Sequence, residues 1–574
     1  MSDLVIGGRR SRRQYALRAL LLALALAIAA VVVAWFIYRR SVAYEVASIP
    51  VRVGPLRLDR EAPGAAPRLA TGQAELTWVG EIPVIRAGGD LSGIYLGVGR
   101  LLGDRIDAPT AAASAAMVDA IPRDGVWGRL AHGTRTAWRY RFLDDGLSER
   151  DRRALAGLWQ GARASGARSG HDTLLRAQAM LDVGAVAGRA GEPRARLLTR
   201  ALTVRVAQAD APPGRAWIGR SFALPGLIDG GDSATPVLLI AHPTDALAWA
   251  GVTWPGSIGV VSGVNAEGIV VTLHPARTRD VRETRIARPT ALVVRDVLER
   301  ARTLDDAIRL LSDTTLLGSA AFMVVDGQAG TWAVVERSPT RTAVSRGPSP
   351  AVVGDLLSGS ELADDPQNDR ARRTSAATDR LARAAQLVRA PLAGPAALAA
   401  ALRDRRSADG VARAAGHRGL VDDAAAQHVA IFDPVTLVMW IGRDTDQALR
   451  GIDLRHELRG EGDRPAPPAD LAPTTGGDGA STEPVLARVR TARADLRAAR
   501  AALGAGRLAA AHELAMRALT RAPDLPEALE WMARIELARG DRDAARTFAE
   551  RWLDAGIDAP GSAEELRGAL GLSR

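Results

Sequence analysis

The chain has 574 residues, 75 basic and 65 acidic side chains, a formal net charge of +10 and 47% apolar content. Every one of those basic side chains is Arg, because the sequence contains no Lys, and it contains no Cys. These absences exclude a thiolate nucleophile, disulfides, Cys-ligated zinc, iron–sulfur clusters, a Lys Schiff base, a P-loop Lys and a Ser–Lys dyad.

Residues 19–38 read ALLLALALAIAAVVVAWFIY, 20 uncharged residues that span roughly 30 Å as a helix, the thickness of a bilayer core. Trp35 and Tyr38 fall where an interfacial aromatic belt belongs. Arg9, Arg10, Arg12, Arg13 and Arg18 precede the span, and Arg39 and Arg40 follow it. That bias keeps residues 1–18 cytoplasmic and sends the bulk across an inner or plasma membrane. SRRQYAL at 11–17 reads either as a twin-arginine export signal or as a positive-inside flank. A cleavage site at Ser41, Val42 and Ala43 is opposed by the long apolar run and by Arg39–Arg40, so an uncleaved signal anchor is expected.

The stretch SERDRRALAGLWQGA (148–162) has helical spacing. PVLLIAH (236–242), GIVVTLH (268–274) and AFMVVDGQAGTWAVVE (321–336) read as strands, the last a hairpin turned at Asp326-Gly327. Residues 290–311 form two helices, the second entered through Thr303 and Asp306. QHVAIFDPVTLVMWI (427–441) is a strand pair turned at Asp433. Hairpins mixed with long helices predict a layered α+β body over 44–458. Residues 459–484 are rich in Pro, Gly and Thr and read as a disordered linker. In the tail, 485–574, the segments 506–526 and 540–560 are offset by 34 residues and identical at 8 of 21 positions. This period resembles the tetratricopeptide repeat, with paired small Ala for close helix approach and Pro526 and Pro560 ending helices. Such an array would hold a protein or peptide partner.

No acid/base pair or metal set stands out. The eight His show no HxH or HxxxH spacing, so no metal and no cofactor is expected. Asp144-Asp145, Asp305-Asp306 and Asp422-Asp423 read as solvated faces. Arg is dispersed among acids without a basic stripe interleaved with aromatics, so no nucleic-acid partner is expected.

The blocks GDLSGIYLGVGRLLGDRI (89–106), LSERDRRALAGLWQGA, WPGSIGVVSGVNAEGIVVTL (254–273), VVERSP (334–339) and QHVAIFDP run in an order that resembles the acyl-coenzyme A:6-aminopenicillanic acid acyltransferase family. That family is a branch of the N-terminal-nucleophile (Ntn) hydrolases, related to penicillin V acylases and bile salt hydrolases. The resemblance implies a four-layer αββα sandwich. It also implies an N-terminal Cys, exposed by autocatalytic processing, whose own amine serves as base. Family members place that Cys 14–18 residues before a G-R-N-x-D segment. Here Gly219-Arg220-Ser221-Phe222-Ala223 keeps the Gly and Arg but loses the Asn and Asp. The window upstream is ALTVR (201–205), where Thr203 is the sole hydroxyl. Asn265 matches the family's Asn-containing block, Asp355 stands near where another Asn belongs, and a late Arg is either Arg373 or Arg380.

The resemblance therefore nominates Thr203, Arg220 and Asn265 as the catalytic positions, with Arg220 also readable as an ion-pairing residue and Asn265 as a turn residue. The reading is a membrane-anchored extracytoplasmic protein with an acyltransferase-like Ntn fold, catalytically degenerate, binding a small acyl-amide ligand or a partner. Its alternatives are an active N-acyl amide hydrolase or acyltransferase autoprocessed at Thr203, and a tetratricopeptide assembly scaffold.

Overall fold

The computed structural model describes residues 8–50, 54–59, 68–116, 125–183, 199–209, 211–224, 235–282, 285–347, 351–443, 448–460, 466–473 and 485–572. Its first strands are β1 (Arg57–Asp59), β2 (Arg68–Thr71), β3 (Ala74–Val79), β4 (Ile82–Gly89), β5 (Arg200–Ala207) and β6 (Ala216–Ala223). Then come β7 (Val237–Pro243), β8 (Trp249–Thr253), β9 (Ser262–Asn265), β10 (Ile269–Ala276), β11 (Ser319–Asp326) and β12 (Thr331–Arg337). The last are β13 (Thr342–Ser345), β14 (Ala351–Val353), β15 (Ala426–Asp433), β16 (Val438–Gly442) and β17 (Arg450–Asp453).

They form two sheets. The larger has the order β1-β2-β3-β4-β7-β8-β9-β10-β11-β12-β13, and the smaller β14-β5-β6-β15-β16-β17. Pairing is antiparallel except between β4 and β7. The two turns predicted at Asp326 and Asp433 join β11 to β12 and β15 to β16.

Alternation along the strands builds four layers, because successive side chains leave opposite faces. Ile85, Leu239, Val271, Phe322 and Val335 of the large sheet pack against the helices Leu91–Leu102, Glu149–Ala164, Thr290–Arg300 and Leu304–Asp313. Their neighbours Val84, Leu238, Val270, Met323 and Val334 instead meet Ile218, Ala430 and Phe432 of the small sheet. The small sheet's outer face, with Leu202, Val204, Val429 and Ile431, is covered by the helices Ala377–Leu387 and Pro395–Leu402. The body is the predicted αββα sandwich.

Local signals start the helices as the sequence implies. Ser148 and Thr303 each close a capping box, with Asp151 and Asp306 at the third helical position. The helices Leu91–Leu102 and Glu149–Ala164 cross closely because glycine lines the contact. A Cβ at Gly161 would lie 2.1 Å from the Leu96 carbonyl oxygen. Gly161→Ala should therefore lower the unfolding free energy by ~1–3 kcal/mol, the usual range for overpacking, although Ala is the better helix former. A shift in urea midpoint measures it.

The tail folds as five helices, Val485–Gly504, Leu508–Arg521, Pro526–Arg539, Arg542–Asp554 and Pro560–Leu570. Leu508 and Arg542 start helices 34 residues apart, as do Pro526 and Pro560. Here the sequence reading needs correction: both prolines open a helix, where a missing N–H costs nothing, rather than ending one. Ala511, Ala515, Ala545 and Ala549 are fully buried in the contacts between these helices.

The predicted linker also differs in part. Residues 466–473 lie along the small sheet, where Leu471 and Leu449 exchange backbone hydrogen bonds and Trp440 Nε1 donates to the Ala469 carbonyl at 2.9 Å. Residues 461–465 and 474–484 of that linker lie outside the described residues.

Candidate functional site

The same alternation decides which polar side chains meet between the sheets. On β5, Leu202 and Val204 face the helices, so Thr203 faces the large sheet. On β6 Arg220 shares the inner face with Ile218, and on β15 His428 shares it with Ala430. From the large sheet, Thr272 and His274 on β10 point the same way as Val270, and Ser262 on β9 the same way as Val264. Register then places Thr203 opposite Arg220, and Ser262 opposite Thr272.

Arg220 is the hub of this cluster. Its Nη1 donates to Thr203 Oγ1 at 3.2 Å and lies 3.1 Å from His274 Nε2. Its Nε donates to Ser262 Oγ at 3.2 Å, and its Nη2 to the Leu273 carbonyl. Thr203 Oγ1 donates to Thr272 Oγ1 at 3.1 Å, which lies 3.2 Å from His274 Nε2. Ser262 Oγ lies 3.2 Å from His428 Nε2, and the His428 ring stacks on Phe222. Thr203, Arg220, Ser262, Thr272 and His274 are 0% exposed and His428 1%.

Burial sets the electrostatics. Desolvation pushes the Arg220 guanidinium down to about 9, opposed by Asp355, so it remains cationic at neutral pH. Burial and then the Arg220 charge hold His274 and His428 well below the usual imidazole value, so both are neutral. The described hydrogen-bond partners of Arg220 are hydroxyls, a carbonyl and an imidazole, and Asp355 acts on it only through its charge. A Thr203–Thr272–His274 chain of this kind can pass a proton.

The structure brings Thr203 and Arg220 together and gives Asn265 other work. Asn265 Nδ2 donates to the carbonyls of Leu298 and Ala301 at 3.1 and 2.7 Å. Its Oδ1 accepts from the backbone N–H of Glu267 and Ile269 at 3.1 and 3.0 Å. All its polar capacity thus holds a turn and a helix end. Asp355 accepts from the Ala201 N–H at 2.7 Å and from Arg380 Nη2 at 2.8 Å, and burial raises its carboxyl to about 6 against the pull of Arg380. Arg380 is therefore the late Arg that reaches this region, while Arg373 pairs with Asp369 on the surface. Asp422 and Asp423, read as solvated, are buried and pair with Arg405 and Arg200.

Sequence reasoning does not nominate Ser262, Thr272, His274 or His428. The signal that could find them is period two: 270, 272 and 274 share one face of GIVVTLH, and 428, 430 and 432 one face of QHVAIFD.

Residues 233–442 match the family model of acyl-coenzyme A:6-aminopenicillanic acid acyl-transferase. Over these residues the body is acyltransferase-like. The match covers β7 to β16 and starts beyond β5 and β6, the strands that carry Thr203 and Arg220. No curated protein matches the chain. Among solved structures, it is similar to a Caenorhabditis elegans ortholog of N-acylethanolamine-hydrolyzing acid amidase, at 14% identity and a TM-score of 0.31, over 41% of this chain and 93% of that one. It is also similar to a mutant of conjugated bile acid hydrolase from Clostridium perfringens, at 12% identity and a TM-score of 0.28, over 44% and 92% of the two chains. Between the body's two sheets lies the polar cluster of Thr203, Arg220, Ser262, Thr272, His274 and His428.

Proposed function

We propose that the acyltransferase-like body is catalytically degenerate and acts outside the cytoplasm by binding a ligand or partner, held at the membrane by its apolar N-terminal helix. The tetratricopeptide-like tail is proposed as the element that engages a protein or peptide. One observation carries the reading of degeneracy. Thr203 sits in the middle of β5, a strand hydrogen-bonded to β14 on one side and β6 on the other.

An Ntn mechanism needs the nucleophile to head its chain, because its free amine is the base. Cutting before Thr203 would leave Arg200, Ala201 and Leu202 on the other fragment. Ala201 and Leu202 are 0% and 1% exposed, and Asp355 holds the Ala201 N–H. The cluster around Arg220 reads instead as a polar clamp between the sheets, with each hydroxyl and guanidinium contact satisfied within the protein. The helix Tyr15–Val42 holds an uncharged run over residues 19–38 long enough to cross a bilayer, which supports the anchor. Val42 and Tyr44 are already buried in the body, which supports retention of that helix after export.

A second reading, an active hydrolase, is favoured by the Thr203–Thr272–His274 chain alone. Intact mass and N-terminal sequencing of the membrane-extracted protein, with an N-acyl amide turnover assay, separates the two. The expected result is one chain that keeps its N-terminal helix, and no turnover that depends on Thr203. A new N-terminus at Thr203, with turnover abolished in Thr203→Ala, would overturn the proposal.

A further inference from the structure

The helix Gly125–Arg139 and the turn after it lie outside the acyltransferase-like match and have no part in the inter-sheet cluster. Residues 125–142 read GVWGRLAHGTRTAWRYRF, with Arg129, Arg135, Arg139 and Arg141, four aromatics and no acid before Asp144. Here basic and aromatic residues do interleave, contrary to the even dispersal read from the whole chain.

Leu130, Thr134 and Trp138 fall at i, i+4 and i+8, so they share a face of the helix. Leu130 and Trp138 are each 48% exposed, and Phe142 36%. The Arg141 guanidinium lies 4.1 Å over the Trp138 ring and 4.3 Å over Phe142, its charge held beside the apolar face. Leu130, Trp138 and Phe142 are large apolar side chains left uncovered among the described residues.

What covers them follows from where the helix sits. Tyr38, at the end of the apolar N-terminal helix, donates its hydroxyl to the Thr134 carbonyl at 2.6 Å and stacks on Trp138 with ring centroids 6.2 Å apart. Trp35 stacks on Tyr38 in turn. A few residues on, Tyr44 donates to the Tyr140 carbonyl at 2.6 Å. Tyr44 joins the body's core two residues after the helix ends at Val42, so Trp138 stands at the depth where Trp35 and Tyr38 leave the bilayer. Aromatic rings and Arg flanking an apolar stripe suit that depth, with the rings among headgroups and the guanidinium groups on phosphate.

We propose that the exposed face of the Gly125–Arg139 helix, with Trp138, Arg141 and Phe142, lies on the membrane and binds anionic phospholipid headgroups. The inference rests on the membrane-anchor reading. It adds that the body is docked on the bilayer in one orientation rather than tethered above it.

Because the chain has no Cys, a single introduced thiol can be labelled uniquely in the full-length protein. Leu130→Cys carrying an environment-sensitive fluorophore reports the docked face, and Leu22→Cys reports the anchor. Both are reconstituted in phosphatidylcholine vesicles with and without phosphatidylglycerol, then quenched by aqueous iodide or by lipids with a nitroxide near the headgroup. In anionic vesicles, the label at position 130 should be quenched by the nitroxide lipid and shielded from iodide. That lipid quenching should fall about two-fold or more in neutral vesicles, or when Arg135, Arg139 and Arg141 are changed together to Glu.

Insertion of the label at 22 with the label at 130 fully open to iodide overturns the docking while leaving the anchor intact. Shielding at 130 without lipid quenching means that protein covers the face, and also overturns it. Failure of the label at 22 to insert removes the anchor reading and this inference with it.

Discussion

Asp151→Ala should lower the unfolding free energy of the body by roughly 3–5 kcal/mol, the range for removing one partner of a buried charge network. Asp151 is 0% exposed and sits where two helices of the outer layer meet. It accepts from the Ser148 N–H at 2.9 Å, from Arg288 Nη2 at 3.2 Å and from Arg295 Nη2. Truncation leaves the Arg295 side chain, 1% exposed, with Glu299 at 3.5 Å as its remaining acid. Arg288 keeps Asp296 at 2.8 Å. Those remaining acids hold the loss within the range for a single pair rather than doubling it.

The pH dependence has a definite sign. Burial raises the Asp151 carboxyl, but Arg295 and Arg288 overcome it and hold it at about 2, below the unfolded 3.8. Its contribution is complete above about pH 4 and is lost as pH falls through about 2. Urea midpoints taken down a pH series should fall more steeply in that window for the natural protein than for Asp151→Ala. Parallel curves would show that Asp151 is not ionised in the folded state.

How far the sequence reaches is visible in these residues. Ser148 and Asp151 are three apart and announce a helix start, whereas Arg288 and Arg295 are more than a hundred residues downstream, so no local pattern links them. Turns and caps are legible because they are set within a few residues. The layering is legible because alternation and the ordered blocks are repeated along the chain. Thr203 and Arg220 stand out through a motif remnant, and their register confirms that they meet. His274 and His428 escape a search for metal spacing, because their role depends on two strands from different sheets facing each other. Asp422 and Asp423 look like a solvated pair, yet Arg200 and Arg405 come to them from other elements. Pro526 and Pro560 read as helix ends from spacing alone, since a proline stops a helix and starts one with equal ease.

Asp558→Ala should release the tail from the body, again at a cost of about 3–5 kcal/mol to their association. Arg418, in the segment before β15, makes a two-pronged contact with Asp558, Nε to Oδ2 at 2.9 Å and Nη2 to Oδ1 at 2.8 Å. Its backbone N–H adds a bond at 3.2 Å, and Trp552 Nε1 donates to the same carboxylate at 3.0 Å. Arg418 also reaches Glu530, and Arg493 of the tail reaches back to the Gly416 carbonyl at 3.0 Å. Gly416 has φ of +91° and no room for a side chain, since a Cβ there would lie 2.6 Å from Leu525.

Asp524 supplies the control. It occupies the same place as Asp558 one period earlier but is exposed, so Asp524→Ala should leave docking unchanged. Proteolytic nicking that separates the tail from the body should quicken in Asp558→Ala alone. Arg380 also connects the tail to the inter-sheet cluster: it donates to the Arg418 carbonyl at 3.1 Å and to Asp355, which holds the Ala201 N–H two residues before Thr203. Release of the tail should therefore raise hydrogen exchange at Ala201 and its neighbours on β5. If nicking quickens while β5 stays protected, the tail is docked but does not brace the cluster, and binding at the tail would have no route through these side chains to Arg220.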